Sequence, residues 1–228
     1  MGMTDTWQGV HADGPPSPTA PVAVVGCGPG SPQYLTDVAR LAVAAAEVLA
    51  GSRRLLDLFP DHVGEQIAWT ADIASLLDQL EVLRTAGRRV AVLVSGDPGL
   101  CSLARRVIDR FGRGEVEVIP GISSVQVAFA RLGLDWTHAC IISAHGRTPE
   151  IAWDELPRDG EIAVLAGSRQ ALCWAAAAAR SLESSHAAML CENLTLADEC
   201  VRPMTPEQLD SATASSLSLV LLIRRNPI

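Results

Sequence analysis

Three short stretches hold the residues whose types and spacing could do chemistry. The first is Ser95-Gly96-Asp97-Pro98-Gly99, which follows the apolar run Val92-Leu93-Val94. Such a run reads as a buried parallel strand. Residues Cys101 to Arg110 have helical spacing, so the Gly-Asp-Pro-Gly sequence is expected on a loop from the carboxyl end of a strand into a helix. Open α/β sheets bind ligands at that edge. Glycine lets a ligand approach the backbone, proline stiffens the loop, and Asp97 offers a fixed acceptor. Asp97 has two readings at this stage: an acceptor toward a ligand, or the N-cap of the helix that follows.

The second stretch, Pro120-Gly121-Ile122-Ser123-Ser124, ends the expected strand Glu115–Ile119 and opens a helix through Leu132. Ser123 and Ser124 are either helix N-caps or hydroxyl and N–H partners of a ligand. The third, Gly26-Cys27-Gly28-Pro29-Gly30-Ser31-Pro32, follows the strand Val22–Gly26. A Gly-x-Gly after a strand suggests a dinucleotide fingerprint, but the third glycine is Ser31, and Pro29 and Pro32 rigidify the loop. The next helix starts late, with Thr36 as N-cap and Asp37 in its first turn. The intervening residues keep a pyrophosphate away from the helix N-terminus. A nicotinamide-dependent dehydrogenase is therefore disfavoured.

The elements that must position these loops alternate strand and helix along the chain. Expected helices cover 37–49, 52–59, 73–83, 101–110, 124–132, 169–180 and 206–212. The last is capped by Thr205, with Pro206 at its first position and Gln208 at its third. Expected strands cover 47–51, 66–69, 89–95, 115–119, 139–143, 161–166, 187–191, 199–204 and 216–224, the last in an interior position. Gly133-Leu134-Asp135-Trp136 reads as a hinge, after which the alternation restarts. The fold class is α/β in two domains: 21–136 and 137–228, preceded by a disordered tail over 1–20 that is rich in glycine and proline.

Composition narrows the function. The 228 residues are 48% hydrophobic with a net charge of -8, which argues against a nucleic-acid surface. An anionic substrate would have to be held by local arginines. The six cysteines have no Cys-x-x-Cys spacing and read as reduced core thiols. The five histidines are scattered, so no metal site is expected. No apolar run reaches transmembrane length, and the first residues lack a secretory pattern. A cytoplasmic protein with no membrane partner is the expectation.

Taken together, the stretches 24–36, 95–99 and 119–126 resemble the tetrapyrrole methylase family, and the resemblance covers about residues 21 to 225. Four further stretches, Gly-Ser-Arg-Arg-Leu-Leu (51–56), 124–134, Ser-Ala-His-Gly-Arg (143–147) and Glu-Asn-Leu-Thr (192–195), are similar to the branch that methylates carbon 5 of cobalt-precorrin-7 in cobalamin biosynthesis. The resemblance implies two α/β domains with S-adenosylmethionine bent in the cleft between them as cosubstrate. Family cofactor contacts carry over onto Pro29, Gly96, Asp97, Leu100, Ser123 and Ser124, and onto Ala166 and Leu194 in the second domain. The chain departs from the family at Cys101, where tyrosine is usual, and at Leu194, where glycine is frequent. The resemblance also implies a homodimer. It further implies the stand-alone subunit, working beside a separate carbon-15 methyltransferase/decarboxylase.

Methyl transfer from a sulfonium to a ring carbon needs no nucleophilic side chain, which suits a sequence without a catalytic triad. Alignment and exclusion of water would be the protein's contribution. The tetrapyrrole is a polycarboxylate, and His145 and Arg147 are the first candidates to bind it, with Arg53 and Arg54 behind them. Each arginine could instead be a solvated charge, and His145 a structural loop residue. Two other functions stay open: methylation of another precorrin position or another tetrapyrrole, and a binding module that holds the cofactor without turnover.

Overall fold

A computed structural model of the chain describes residues 20–69, 72–146, 148–213 and 215–225. The expected tail and Arg147 lie outside these residues. The chain divides into two compact units, one of residues up to Cys27 with Thr36–Gly121, the other of Gly28–Leu35 with Ile122–Ile228.

The first unit is built on five strands and four helices: β1 (Val22–Gly26), α1 (Asp37–Ala45), β2 (Val48–Gly51), α2 (Arg53–Leu56), β3 (Glu65–Ala68), α3 (Ile73–Thr85), β4 (Val90–Val94), α4 (Ala104–Phe111) and β5 (Val116–Ile119). The strands form one sheet in the order β3-β2-β4-β1-β5, and every pairing is parallel. β4 is buried at all five positions, as a strand covered on both faces requires. Its Val90, Val92 and Val94 join Val22, Val24, Val48, Leu76, Leu80 and Val107 in one core. Thr36 caps α1 through Oγ1, which accepts from Ala39 N–H at 3.1 Å.

The strand order creates a switch point. After β1 the chain goes to β2, beyond β4; after β4 it goes to β5, beyond β1. The connections that leave these two neighbours therefore run in opposite directions, and the space outside their carboxyl ends is where open α/β sheets bind ligands. Backbones crowd there. A Cβ on Gly121 would lie 2.4 Å from the Gly96 carbonyl oxygen and 2.8 Å from Gly26; one on Gly26 would lie 2.8 Å from Pro98 Cδ. Only glycine allows this approach at either position.

The second unit holds α5 (Ser124–Leu132), β6 (Cys140–Ser143), β7 (Ile162–Leu165), α6 (Arg169–Ser181), β8 (His186–Glu192), β9 (Cys200–Met204), α7 (Pro206–Ser211) and β10 (Ser218–Arg224). The sheet order is β6-β7-β10-β8-β9. β6 and β7 run parallel, while β10 pairs antiparallel with both β7 and β8, and β9 antiparallel with β8. β10 is central, as its apolar run predicts. α6 buries seven residues, five of them alanines, so it lies close on the sheet. The capping box at α7 forms as expected, with Thr205 and Gln208 exchanging hydrogen bonds.

Four expectations change. The division falls after Gly121, where the sequence places it after Trp136. α5 packs on β10, and Gly133 is its C-cap at φ 64° rather than a hinge. The helix expected from Cys101 begins at Ala104. Cys101 itself has φ 50°, and Ser102 Oγ turns the chain by donating to the Pro98 carbonyl at 2.5 Å and accepting from Ala104 N–H at 3.0 Å. The cysteines are all free, but only Cys27 and Cys191 are buried; Cys101 is exposed.

Gly121→Ala is expected to destabilise the chain by about 3 kcal/mol, the upper end of the usual cost of forcing atoms into filled space, because the atoms it would meet are backbone. Gly87 has φ 77° with open space around its Cβ position, so Gly87→Ala should cost only about 1–2 kcal/mol of backbone strain. Urea denaturation of the two variants checks the order.

Candidate functional site

In the first unit the loop after β4 is built around Asp97. Oδ1 accepts from Gly99 N–H at 2.7 Å and Oδ2 accepts from Gly121 N–H at 3.1 Å. The carboxylate thus closes its own turn and ties the loop after β4 to the loop after β5. The Leu100 N–H donates to the Asp97 carbonyl at 3.1 Å, which completes a β-turn over Asp97-Pro98-Gly99-Leu100. Asp97 is not the N-cap of α4, whose N-cap position is Leu103. Both oxygens keep a lone pair for a further donor. Gly96 has φ 66°, a conformation that costs other residues energy. It sits between the last residues of β4 and the Asp97 turn, half-exposed like Leu100.

Cys27 continues β1, its N–H donating to the Val94 carbonyl at 2.8 Å. Burial pushes its thiol up to about 12, so it stays protonated and unreactive at neutral pH. Arg54 reaches the same edge from α2 and donates through Nη2 to Ser95 Oγ at 3.1 Å.

The remaining sequence-predicted residues belong to the second unit. Ser123 is the N-cap of α5: its Oγ accepts from Val125 N–H at 3.2 Å, and Gln126 Oε1 accepts from Ser123 N–H at 2.8 Å. Ser124 is the first helical residue and half-exposed. Ala166 directly follows β7, with its N–H donating to the Ser218 carbonyl at 3.0 Å. His145 follows β6 and is exposed, its ring against the backbone of Gly167, where a Cβ would lie 2.7 Å from Nδ1.

The segment that carries Pro29 and the loop that carries Leu194 are tied by a network that the sequence did not reveal. The Gly28–Leu35 segment docks on the loop after β8. Ser31 N–H donates to Thr195 Oγ1 at 3.0 Å, and a Cβ on Gly30 would meet Leu196 Cδ2 at 3.0 Å and the Leu194 carbonyl at 3.5 Å. Glu199 sits at the centre. It accepts from Arg131 Nε at 2.6 Å and Nη2 at 3.1 Å, and from Thr195 N–H at 2.6 Å. Arg131 Nη2 also donates to the Tyr34 hydroxyl at 3.2 Å. Asn193 and Thr195 take φ of 51° and 72°, so this loop stores strain that the network offsets. The one available signal was Tyr34, the only tyrosine in the chain. Among the described residues no group of three or more His, Cys, Asp or Glu could hold a metal ion. No helix among them is long and apolar enough to cross a membrane.

Comparison with known proteins decides the family. Residues 21–210 match the model of the tetrapyrrole (corrin/porphyrin) methylases. The chain belongs to this family. It is 35% identical over 148 residues to cobalt-precorrin-7 C(5)-methyltransferase of Salmonella typhimurium, covering 65% of this chain and 72% of that one. It also superimposes on the precorrin-6Y methylase of Archaeoglobus fulgidus with a TM-score of 0.69 and 27% identity, over 91% of this chain and 99% of that one. The fold alone is shared with the methyltransferase CobJ, at TM-score 0.77 and 21% identity over 92% and 97% of the two chains. The tetrapyrrole methylase fold expected from the loops is thereby established, and the chain is a methyltransferase.

The Arg131 guanidinium holds the Glu199 carboxyl below its ordinary value of 4.5. A carboxylate whose value is lowered on folding stabilises the fold above that value and loses the contribution as pH falls through it. The stability difference between the wild type and Glu199→Gln should therefore be constant above about pH 5.5 and shrink below 4.5. Both side chains are partly exposed, at 38% and 23%, so the difference is expected near 1 kcal/mol, the upper end for solvated pairs. Urea midpoints measured from pH 3 to 7 check it.

Proposed function

We propose that the chain is an S-adenosylmethionine-dependent methyltransferase acting on carbon 5 of cobalt-precorrin-7 in cobalamin biosynthesis. The observation that carries the reading is the 35% identity to a cobalt-precorrin-7 C(5)-methyltransferase in a chain whose rigid loops leave the carboxyl edge of the sheet. Its substrate is a tetrapyrrole polycarboxylate. Its working partners would be a second copy of itself and a separate carbon-15 methyltransferase/decarboxylase.

The cosubstrate would be held by Pro29, Gly96, Leu100, Ser123, Ser124, Ala166 and Leu194 through backbone groups and apolar contact; Gly96 is half-exposed and at positive φ, so its backbone is open to a ligand. When bound, S-adenosylmethionine supplies a methyl group on a sulfonium, which is already an activated leaving group. The chain's own work is geometric. Asp97 fixes the loop after β4 to Gly121 and so sets where Gly96 and Leu100 stand. The Glu199 network ties the segment that carries Pro29 to the loop that carries Leu194. Rigid loops of this kind hold two reactants in line, an effect that carries a large share of a displacement barrier. Cys27 and Cys191, both pushed up to about 12 by burial, offer no competing thiolate to the electrophilic methyl. His145 and Arg147 would receive substrate carboxylates.

Anaerobic incubation with cobalt-precorrin-7 and methyl-labelled S-adenosylmethionine should yield one labelled methyl at carbon 5 by mass spectrometry and carbon NMR. A label at another carbon would remove the assignment of position and keep the family. Cosubstrate binding without transfer would favour the binding-module reading. Asp97→Ala is expected to lower kcat/KM by about 10²-fold through misplacement of its loop, with the far-ultraviolet circular dichroism of the wild type.

A further inference from the structure

Five arginines of the first unit are paired with carboxylates. Arg84 pairs with Glu115, Arg88 with Glu65, Arg89 with Glu47, Arg105 with Asp109, and Arg110 with Asp78 and Glu81. Arg53, Arg106 and Arg113 have no carboxylate among the described residues, but they are exposed and solvated. Arg54 differs from both groups. It is half-buried, no described carboxylate pairs with it, and among the described residues its side chain hydrogen-bonds a neutral hydroxyl, Ser95 Oγ at 3.1 Å. A guanidinium has five N–H donors. Removing it from water without an anion is costly, and burial does pull its protonation equilibrium down.

Its position is as specific as its pairing. α2 is a single turn, and its buried Leu55 and Leu56 anchor the neighbouring Arg54. β2 ends at Gly51, beside β4, with a virtual Cβ 3.0 Å from Leu93 Cβ. The short helix then turns Arg54 back over the end of β4, to the residue just before Gly96 and Asp97. This is the edge where the β1 and β4 connections diverge.

We propose that Arg54 is an anion-binding residue of the ligand site and takes a ligand carboxylate there. The geometry supplies the fork that bidentate carboxylate binding uses, and the acidic balance of the chain leaves that attraction to local arginines. Two ligands of the reaction carry the group: the peripheral carboxylates of the tetrapyrrole and the amino-acid carboxylate of the cosubstrate. The inference rests on the methyltransferase reading for these sources, but not on the ring position methylated.

The test compares the full-length wild type with Arg54→Gln and Arg54→Lys. The probes are uroporphyrin, an octacarboxylate porphyrin, followed by fluorescence quenching, and S-adenosylhomocysteine, followed by calorimetry. Arg54→Gln should weaken one probe by about tenfold or more, the scale of a charge-assisted hydrogen bond, while Arg54→Lys recovers part of the loss. A loss confined to uroporphyrin identifies the tetrapyrrole carboxylate; a loss confined to S-adenosylhomocysteine identifies the cosubstrate. Unchanged affinity for both probes, or no binding of either by the wild type, overturns the inference. A merely structural arginine would shift the melting temperature and leave both affinities in place. Methylation at a carbon other than 5 would defeat the proposed function without moving these affinities.

Discussion

Backbone meets backbone at the carboxyl ends of β1, β4 and β5, and the first unit depends on that contact. The space a Cβ would need at Gly121 is filled by the Gly96 carbonyl and Gly26, and at Gly26 by Gly121 and Pro98. Close packing fixes these atoms because neither side has a flexible group to yield. Asp97 then adds directional bonds across the same gap, one within its turn and one to Gly121. The loops that leave the sheet here inherit their positions from this arrangement.

The elements were legible because their signals are local. Apolar runs marked β1, β4 and β10, and the caps at Thr36, Ser123 and Thr205 all form as their residue types predict. The strand order was not legible, since nothing in Val-Ala-Val-Val-Gly says that β1 lies between β4 and β5. Asp97 stood out in the sequence, but its second partner, Gly121, is 24 residues away. The rejection of a dinucleotide loop followed from Pro29, Ser31 and Pro32. What those residues do instead depends on Thr195, 164 residues from Ser31, and no pattern of spacing carries that pairing. The late start of α4 escaped because Cys101, a residue with a Cβ, takes a left-handed conformation.

A displacement at carbon asks a protein for placement more than for reactive groups. Consistent with that demand, the described candidate residues are mainly small, apolar or already hydrogen-bonded within the fold. Ser123 is engaged by its own helix and Asp97 by two backbone amides, so their side chains act first as fasteners. The half-buried charge of Arg54 is the exception, and it stands beside the most constrained loop of its unit.

The discontinuous second unit bears on how the chain is made. Its Gly28–Leu35 segment precedes most of the first unit in sequence, yet its partners Arg131 and Thr195 come 97 and 164 residues after the groups they meet, Tyr34 and Ser31. During synthesis this segment emerges early and waits for most of the polypeptide before its contacts can close. Such long-range closure slows assembly. It also means that a cut after Gly121 would not release two self-sufficient halves: the C-terminal piece would lack the strap that secures the strained turn at Asn193 and Thr195.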